Sequence, residues 1–242
     1  MRITKKLLGE LSSTIAIAAA ILAFSPVTAG ASGPGTASSN LTNVSSGYVA
    51  DSTGNAEATS NAEFTVTPGA LTLNQVPNIV LENTSVKSIA SGNAELTVTN
   101  NAPTAGTAYD GNNTGTLNVT DYRGNSAGWS LTVGLGPFTS GKSTVTEAAL
   151  TLDQTTGTLD NTATAVPSSI KLTQSTVANG WISNPQLLWN AAAGTGQGSN
   201  TATTAPTSNL QITKQSDIAA GTYDATLYWA LQNAPAATTP AS

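Results

Sequence analysis

The chain has 242 residues, no cysteine, no histidine and a formal net charge of −5, and only 9% of its residues are charged. The missing residue types exclude disulfides, thiol nucleophiles, Ser-His-Asp triads and metal sites built from thiolate or imidazole ligands. The excess of acidic over basic residues excludes nucleic-acid binding of the usual kind, which depends on basic contacts to phosphate.

The N-terminus has the pattern of an export signal at residues 1–31. MRITKK is a basic region, residues 15–24 are apolar, and residues 29–31 form an A-x-A cleavage site. The apolar run is shorter than the ~20 residues that span a bilayer, so cleavage is favoured over retention as a membrane anchor. The C-terminus shows no LPxTG-like sorting motif. We therefore expect a secreted protein with no membrane span after cleavage and no covalent wall anchor.

The next segment, residues 32–60, consists mainly of Ser, Thr, Gly, Ala and Asn. Almost nothing in it could form a core, so we interpret it as a disordered or extended linker. A folded domain is expected over residues 61–235, and residues 236–242 are expected to form a flexible tail.

Within the expected domain, apolar residues alternate with polar ones, and turn residues separate the runs. The alternating pairs are Phe64/Val66, Leu71/Leu73, Leu96/Val98, Leu117/Val119, Leu150/Leu152, Ile170/Leu172 and Leu210/Ile212, followed by the run from Tyr223 to Leu231. No helical period of useful length appears. About nine short strands, each with one polar face, predict an all-β fold with a single antiparallel β-sandwich of the Ig-like or Greek-key type.

Little in the chain indicates catalysis. Residues 136–143 match the G-x-x-x-x-G-K-[ST] spacing, but β-branched residues rather than a helix start follow them, which predicts a loop without bound nucleotide. The acidic residues nearest to a cluster in sequence are Asp121, Glu147, Asp153 and Asp160. We interpret them as solvated charges at strand ends; the weaker alternative is that two of them form a carboxylate pair for glycoside hydrolysis. We expect a protein that is not an enzyme and that has no metal site and no cofactor.

Two Trp-x-Leu motifs are the most informative feature of the sequence. Trp129 and Leu131 form the first motif, and Trp229 and Leu231 form the second, each on an alternating run. In a strand, residues i and i+2 point to the same side, so each Trp shares a face with its Leu. Both faces are apolar, which predicts that the motifs lie in the core; exposed rings that stack on sugars are the alternative.

Other residues are candidates for ligand contact or support. Trp181 and Trp189 lie in the less regular stretch WISNPQLLWNAAAGTGQG and are better placed to contact a ligand. Asp121 and Arg123 lie just before the first motif and can form an ion pair at a strand end that supports it.

The motifs and their surroundings resemble a known family. The matching elements are the leader, LTLNQVPNI, VTDYRGNSAGWSLTVGLGPF, AAAGTGQG and the terminal GTYDATLYWALQNAP. In order and spacing they are similar to the WxL-domain cell-surface proteins of low-GC Gram-positive bacteria of the lactobacillus and enterococcus type. The resemblance covers the chain from about residue 61 to residue 235.

The resemblance implies non-covalent attachment to the Gram-positive cell wall, with peptidoglycan as the ligand. It also implies partnership with other surface proteins, including a membrane-anchored WxL-interacting protein. The chain shows no added adhesive domain, so we expect the wall-binding module alone. The alternative is a structural or adhesive subunit that assembles with partner surface proteins and contacts the wall only indirectly. If the motifs are core anchors, Trp129→Ala and Trp229→Ala abolish wall binding by unfolding the domain.

Overall fold

The computed structural model describes residues 36–37, 43–44, 47–48, 50, 52, 54–56, 58–99, 101–104 and 106–237. The chain divides into two compact units, Met1–Thr65 and Val66–Ser242. The predicted export signal and the last five residues of the predicted tail lie outside the described residues. In the part of the chain that is described, no helix is both long and apolar enough to cross a membrane.

The described part of the first unit contains four strands of two residues each. They are β1 (Thr36–Ala37), β2 (Asn43–Val44), β3 (Gly47–Tyr48) and β4 (Ala58–Thr59). β1 pairs with β4, and β2 pairs with β3, both in antiparallel orientation. All four strands fall within the segment that we interpreted as a linker.

The second unit contains sixteen strands and one short helix in its described residues. The elements are β5 (Leu71–Gln75), β6 (Val80–Leu81), α1 (Val86–Ser91), β7 (Ala94–Thr99), β8 (Thr116–Asp121), β9 (Trp129–Leu135), β10 (Thr139–Ser140), β11 (Ser143–Thr144), β12 (Ala148–Leu152), β13 (Gln154–Leu159), β14 (Ile170–Thr173), β15 (Val177–Ala178), β16 (Trp181–Ile182), β17 (Gln186–Ala191), β18 (Gly198–Thr204), β19 (Asn209–Ile212) and β20 (Leu227–Gln232).

These strands form three larger sheets and two small hairpins. The five-stranded sheet has the order β14-β12-β19-β7-β6, the four-stranded sheet β13-β18-β8-β5, and the three-stranded sheet β17-β9-β20. The hairpins are β10–β11 and β15–β16, and the pairings in all of these sheets are antiparallel. The predicted all-β, antiparallel fold is therefore confirmed. The strands occupy three sheets, and the single two-sheet sandwich stays a prediction.

One hydrophobic core joins the three sheets. Each sheet contributes fully buried alternate residues: Leu117 and Val119 on β8, Leu131 and Val133 on β9, and Leu150 and Leu152 on β12. The chain alternates between the sheets: β12 lies in the five-stranded sheet, β13 in the four-stranded sheet and β14 in the five-stranded sheet again. The apolar side of each strand faces the core, and the opposite side carries polar residues.

The sequence did not indicate the helix α1. Ser85 caps it, because its hydroxyl accepts a hydrogen bond of 3.0 Å from the Ser88 backbone N–H. Ile89 is its one buried residue. A single amphipathic turn with a serine cap is too short to produce a readable helical period.

The first predicted strand is not formed. Phe64 and Val66 alternate as in a strand, yet they are 87% and 78% exposed and belong to no strand. The other alternating pairs named above lie in β5, β7, β8, β12, β14 and β19. Alternation of apolar and polar residues indicates that a segment can form a strand, but a strand forms only where a partner strand is available.

The segment that matches the phosphate-loop spacing forms the hairpin β10–β11. Thr139 pairs with Thr144 and Ser140 with Ser143, so a strand follows Lys142. A phosphate-binding loop needs the N-terminus of a helix at that point.

Candidate functional site

The two Trp-x-Leu motifs lie side by side on paired strands. β9 carries the first motif and β20 the second, and the strands run antiparallel. Their register places Leu131 opposite Leu231 and Val133 opposite Trp229. The motifs therefore belong to one patch of one sheet, although they lie far apart in sequence.

Trp129 is enclosed on all sides within this patch. Its side chain is fully buried, and its indole N–H donates a hydrogen bond of 3.0 Å to the Gly196 carbonyl. The ring of Trp189 lies edge-to-face against it, with centroids 5.2 Å apart and planes inclined by 76°. A pair of this geometry is worth about 0.5–1.5 kcal/mol beyond the area that it buries.

The structure corrects the interpretation of Trp189 as a ligand contact. The residue is 1% exposed, and its indole N–H donates to the Ala165 carbonyl at 2.6 Å. Within the stretch that looked irregular, residues 186–191 form the strand β17, which pairs with β9 through a register shift between Leu187 and Trp189. Both Leu188 and Trp189 are buried at this shift. Trp189 leaves the set of candidate ligand contacts because neither face of its ring is open.

A glycine-rich loop completes the surroundings of Trp129. The Gly196 backbone N–H donates to the Thr164 hydroxyl at 2.9 Å, and the Asn200 side-chain amide donates to the Gly196 carbonyl at 2.9 Å. Gly196 has a φ of +85°, and a Cβ there would lie 2.6 Å from the Cβ of Ala191. Only glycine fits this approach. Sequence reasoning missed Gly196, Thr164 and Asn200; the GTGQG letters were the available signal.

Asp121 and Arg123 form a bidentate ion pair at the end of β8. The guanidinium donates to both carboxylate oxygens, at 2.9 and 2.7 Å, and the Asp121 side chain is 2% exposed. These hydrogen bonds lower the pKa of Asp121 below its usual value, against the desolvation that burial imposes. Arg123 also donates to the carbonyls of Gly128 and Asn233, at 2.7 and 3.0 Å. It thereby connects the start of the first motif to the chain just after the second.

Trp229 and Leu231 are less enclosed than the first motif. Both are partly buried and pack against the margin of the core. Trp229 also lines a shallow cavity of about 100 Å³ together with Val76 and Tyr109. Beyond β20, the Ala236 backbone N–H donates to the Asn190 side chain at 2.8 Å. This hydrogen bond ties the chain after the second motif to β17 of the same sheet.

Trp181 keeps an exposed ring. It is 43% exposed and lies edge-to-face against Tyr228, with centroids 5.6 Å apart. The hairpin β15–β16 that carries it packs closely on β9, because a Cβ on Gly134 would lie 2.6 Å from Cγ2 of Ile182. Leu187 on β17 is likewise exposed, to 40%. Trp181 thus remains available for contact with a ligand.

A family model described as WxL domain, surface cell wall-binding, matches residues 48–235. The match starts within the segment that we interpreted as a linker and ends at the predicted end of the domain. Neither a curated protein nor a solved structure matches the chain. The matched region includes both Trp-x-Leu motifs, the glycine-rich loop and the Asp121–Arg123 pair. The resemblance inferred from the motifs is confirmed, and the chain belongs to the family of WxL-domain, cell wall-binding surface proteins.

Proposed function

We propose that this protein is exported and attaches non-covalently to the Gram-positive cell wall, with peptidoglycan as the ligand of its WxL domain. The observation that carries the proposal is the match to a surface cell wall-binding family over residues 48–235. The export pattern at the N-terminus supports it. The function is binding, without a catalytic step or a cofactor.

The acidic character of the chain favours recognition through uncharged polar groups and aromatic rings. The full chain has a net charge of −5, and three of its eight basic residues lie in the predicted export signal, so the exported protein is more acidic still and repels anionic wall polymers at long range. Affinity then depends on hydrogen bonds from uncharged polar groups and on stacking of exposed rings such as Trp181. Binding of this kind is only weakly sensitive to salt, because screening acts on charges.

Co-sedimentation of the purified protein with purified Gram-positive sacculi tests the proposal. We expect saturable binding that persists in high salt, while a folded protein of similar negative charge stays in the supernatant. Near-UV circular dichroism verifies that the protein is folded under the same conditions. Folded protein that remains in the supernatant at all sacculus concentrations contradicts peptidoglycan binding.

A second candidate function is assembly with partner surface proteins, including a membrane-anchored WxL-interacting protein. The exposed alternating pair Phe64 and Val66 favours it, because an unpaired strand-like segment can be added to the sheet edge of another protein. Under this alternative, deleting the partner genes removes the protein from the wall of living cells. A Phe64→Ser/Val66→Ser variant then loses retention in cells. Undiminished retention of this variant, together with direct binding to sacculi, rejects the alternative.

A further inference from the structure

The outer side of the four-stranded sheet is a regular array of uncharged polar side chains. Leu117, Val119 and Ala202 on the inner side are fully buried, so the alternate residues of β8 and β18 point outward. We call this outer surface the Thr/Asn face. Its two central rows, which cross strands β5, β8 and β18, are Thr72, Thr120 and Ser199, and Asn74, Asn118 and Thr201. Thr116 and Thr203 continue it as a third row.

The strands of the Thr/Asn face carry no exposed charge, and the exposed carboxylate of Asp160, which accepts a hydrogen bond of 2.7 Å from the Ser199 backbone N–H, lies at its margin. Among the residues of its four strands, β5, β8, β13 and β18, only Asp121 is charged, and that side chain is buried and paired with Arg123. The outer side of the five-stranded sheet differs, because it exposes the charged residues Glu95 and Lys171. Two sheets of the same unit thus present chemically different surfaces.

Hydrogen bonds between strands hold the polar groups in place. The hydroxyls of Thr72 and Thr120 lie 2.6 Å apart. The Asn74 side-chain amide donates to the Asn118 side chain at 2.6 Å, and the Asn118 amide donates to the Ser199 hydroxyl at 3.2 Å. Side chains that are already ordered lose little rotamer entropy when a ligand binds.

The chemistry of the face fits a polysaccharide. Hydroxyl and carboxamide groups both donate and accept hydrogen bonds, as do the hydroxyl and acetamido groups of amino sugars. Neighbouring strands lie ~4.8 Å apart, so a sugar chain that crosses the strands meets a new set of polar groups at each strand. A glycan strand of peptidoglycan has an uncharged backbone, since its lactyl carboxyls are amide-linked to the stem peptides. An uncharged face on an acidic protein is complementary to such a strand and not to teichoic acid.

We propose that the Thr/Asn face binds the glycan strands of peptidoglycan, an assignment that rests on the proposed wall binding. Each hydroxyl removed from the face deprives a sugar group of its partner. The stem peptides extend away from the protein and contribute little to the affinity.

The test compares two triple variants with the unmodified protein in sacculus co-sedimentation. Thr72→Val/Thr120→Val/Thr203→Val removes three hydroxyls from the Thr/Asn face and keeps the β-branched shape. Thr97→Val/Thr151→Val/Thr173→Val makes the same change on the outer side of the five-stranded sheet and is the matched control. Stem peptides released from sacculi by an amidase and soluble chitin oligosaccharides, which present β-linked N-acetylated amino sugars without free lactyl carboxyls, serve as separate competitors. Thermal unfolding of each variant verifies the fold.

We expect the face variant to bind sacculi about tenfold more weakly, which corresponds to about 1.4 kcal/mol. The control variant stays within about twofold of the unmodified protein, and chitin oligosaccharides compete while stem peptides do not. Unchanged binding by the face variant overturns the face assignment and leaves wall binding intact. Competition by stem peptides alone overturns the glycan as the ligand. Failure of the unmodified protein to bind sacculi overturns both proposals.

A second pair of variants applies if the valine triple unfolds. Thr203 is exposed, so Thr203→Lys adds bulk and charge to the Thr/Asn face with little effect on the core. The control is Thr173→Lys at an exposed position of β14. Weaker sacculus binding by Thr203→Lys alone supports the face, and equal binding by both lysine variants overturns it.

Discussion

The two Trp-x-Leu motifs share one sheet, but their tryptophans lie in different environments. Trp129 is fully buried and donates a hydrogen bond to Gly196, whereas Trp229 is partly buried and lines a shallow cavity. The difference follows from strand position. β9 lies between β17 and β20, while β20 is at the edge of the described sheet. A central strand has neighbours on both sides that enclose its side chains, and an edge strand has them on one side only.

The same pattern of letters therefore has two structural roles. At Trp129, the sheet, the glycine-rich loop and Trp189 meet, so the first motif organises several segments at once. The ring of Trp229 is partly exposed and borders the shallow cavity. Substitutions at the first motif are expected to destabilise the domain more than equivalent substitutions at the second.

Trp129→Ala is expected to have the largest effect. It removes a buried ring, its contact with Trp189 and its hydrogen bond, and comparable substitutions cost about 3–5 kcal/mol. That is a large share of a typical stability of about 5–15 kcal/mol. Urea denaturation measures the free energy of unfolding. Trp129→Phe is the control that keeps most of the ring, and a loss below about 1 kcal/mol for Trp129→Ala contradicts the central role of the residue.

Gly196→Ala tests the loop that encloses Trp129, with Gly194→Ala as its matched control. Both glycines have a positive φ, +85° and +87°, so alanine is strained by about 1 kcal/mol at either position. At Gly196 the new Cβ also overlaps the indole nitrogen of Trp129, whereas open space surrounds it at Gly194. Overlap in a packed core adds about 1–3 kcal/mol. Equal urea midpoints for the two variants would show that the loop shifts to accommodate the new Cβ at little cost in stability.

The Asp121–Arg123 pair predicts a dependence of stability on pH. Because the folded protein lowers the pKa of Asp121, the pair stabilises fully above the usual value of about 3.9 and loses its contribution as the pH falls below it. Asp121→Asn is expected to reduce stability by about 2 kcal/mol at neutral pH. The gap between the two proteins narrows in urea titrations below about pH 4. A gap that stays constant down to the acid transition contradicts the role of the carboxylate.

The sequence determined the local features of this fold well. Alternation placed Leu117 and Val119 of β8, and Leu131 of β9, on buried faces, because the side-chain period of a strand is fixed. The family also followed from motif order and spacing. These inferences needed no knowledge of which strands are neighbours.

Features that depend on strand pairing were not predictable. The pairing of Leu131 with Leu231 joins distant segments, and nothing in either run specifies the partner. The register shift that leaves Trp189 buried could not be predicted from the sequence either. Phe64 and Val66 alternate as β5 does, yet no described strand pairs with them. Distribution of the strands over three sheets is a consequence of such pairings.

Trp229→Ala is expected to cost about 1–2 kcal/mol, less than Trp129→Ala, because part of the ring is already in contact with solvent. The variant remains folded, which revises the expectation from the sequence that either substitution unfolds the domain. Near-UV circular dichroism and urea denaturation of both variants provide the comparison. Equal losses at the two positions would remove the distinction between the central and the edge strand.

Trp181→Ala is expected to have the smallest effect on stability, within about 0.5 kcal/mol, because the ring is 43% exposed and contacts mainly Tyr228. Its effect on binding discriminates between modes of recognition. If the ring stacks on a sugar, sacculus affinity falls while the urea midpoint is unchanged, and sacculi protect the Trp181 fluorescence of the unmodified protein from a soluble quencher. The buried Trp129 and Trp189 are insensitive to the quencher in either state. Unchanged affinity and unchanged quenching would exclude stacking of a sugar on Trp181, the most open ring among the described tryptophans, and would favour recognition through polar surfaces such as the Thr/Asn face.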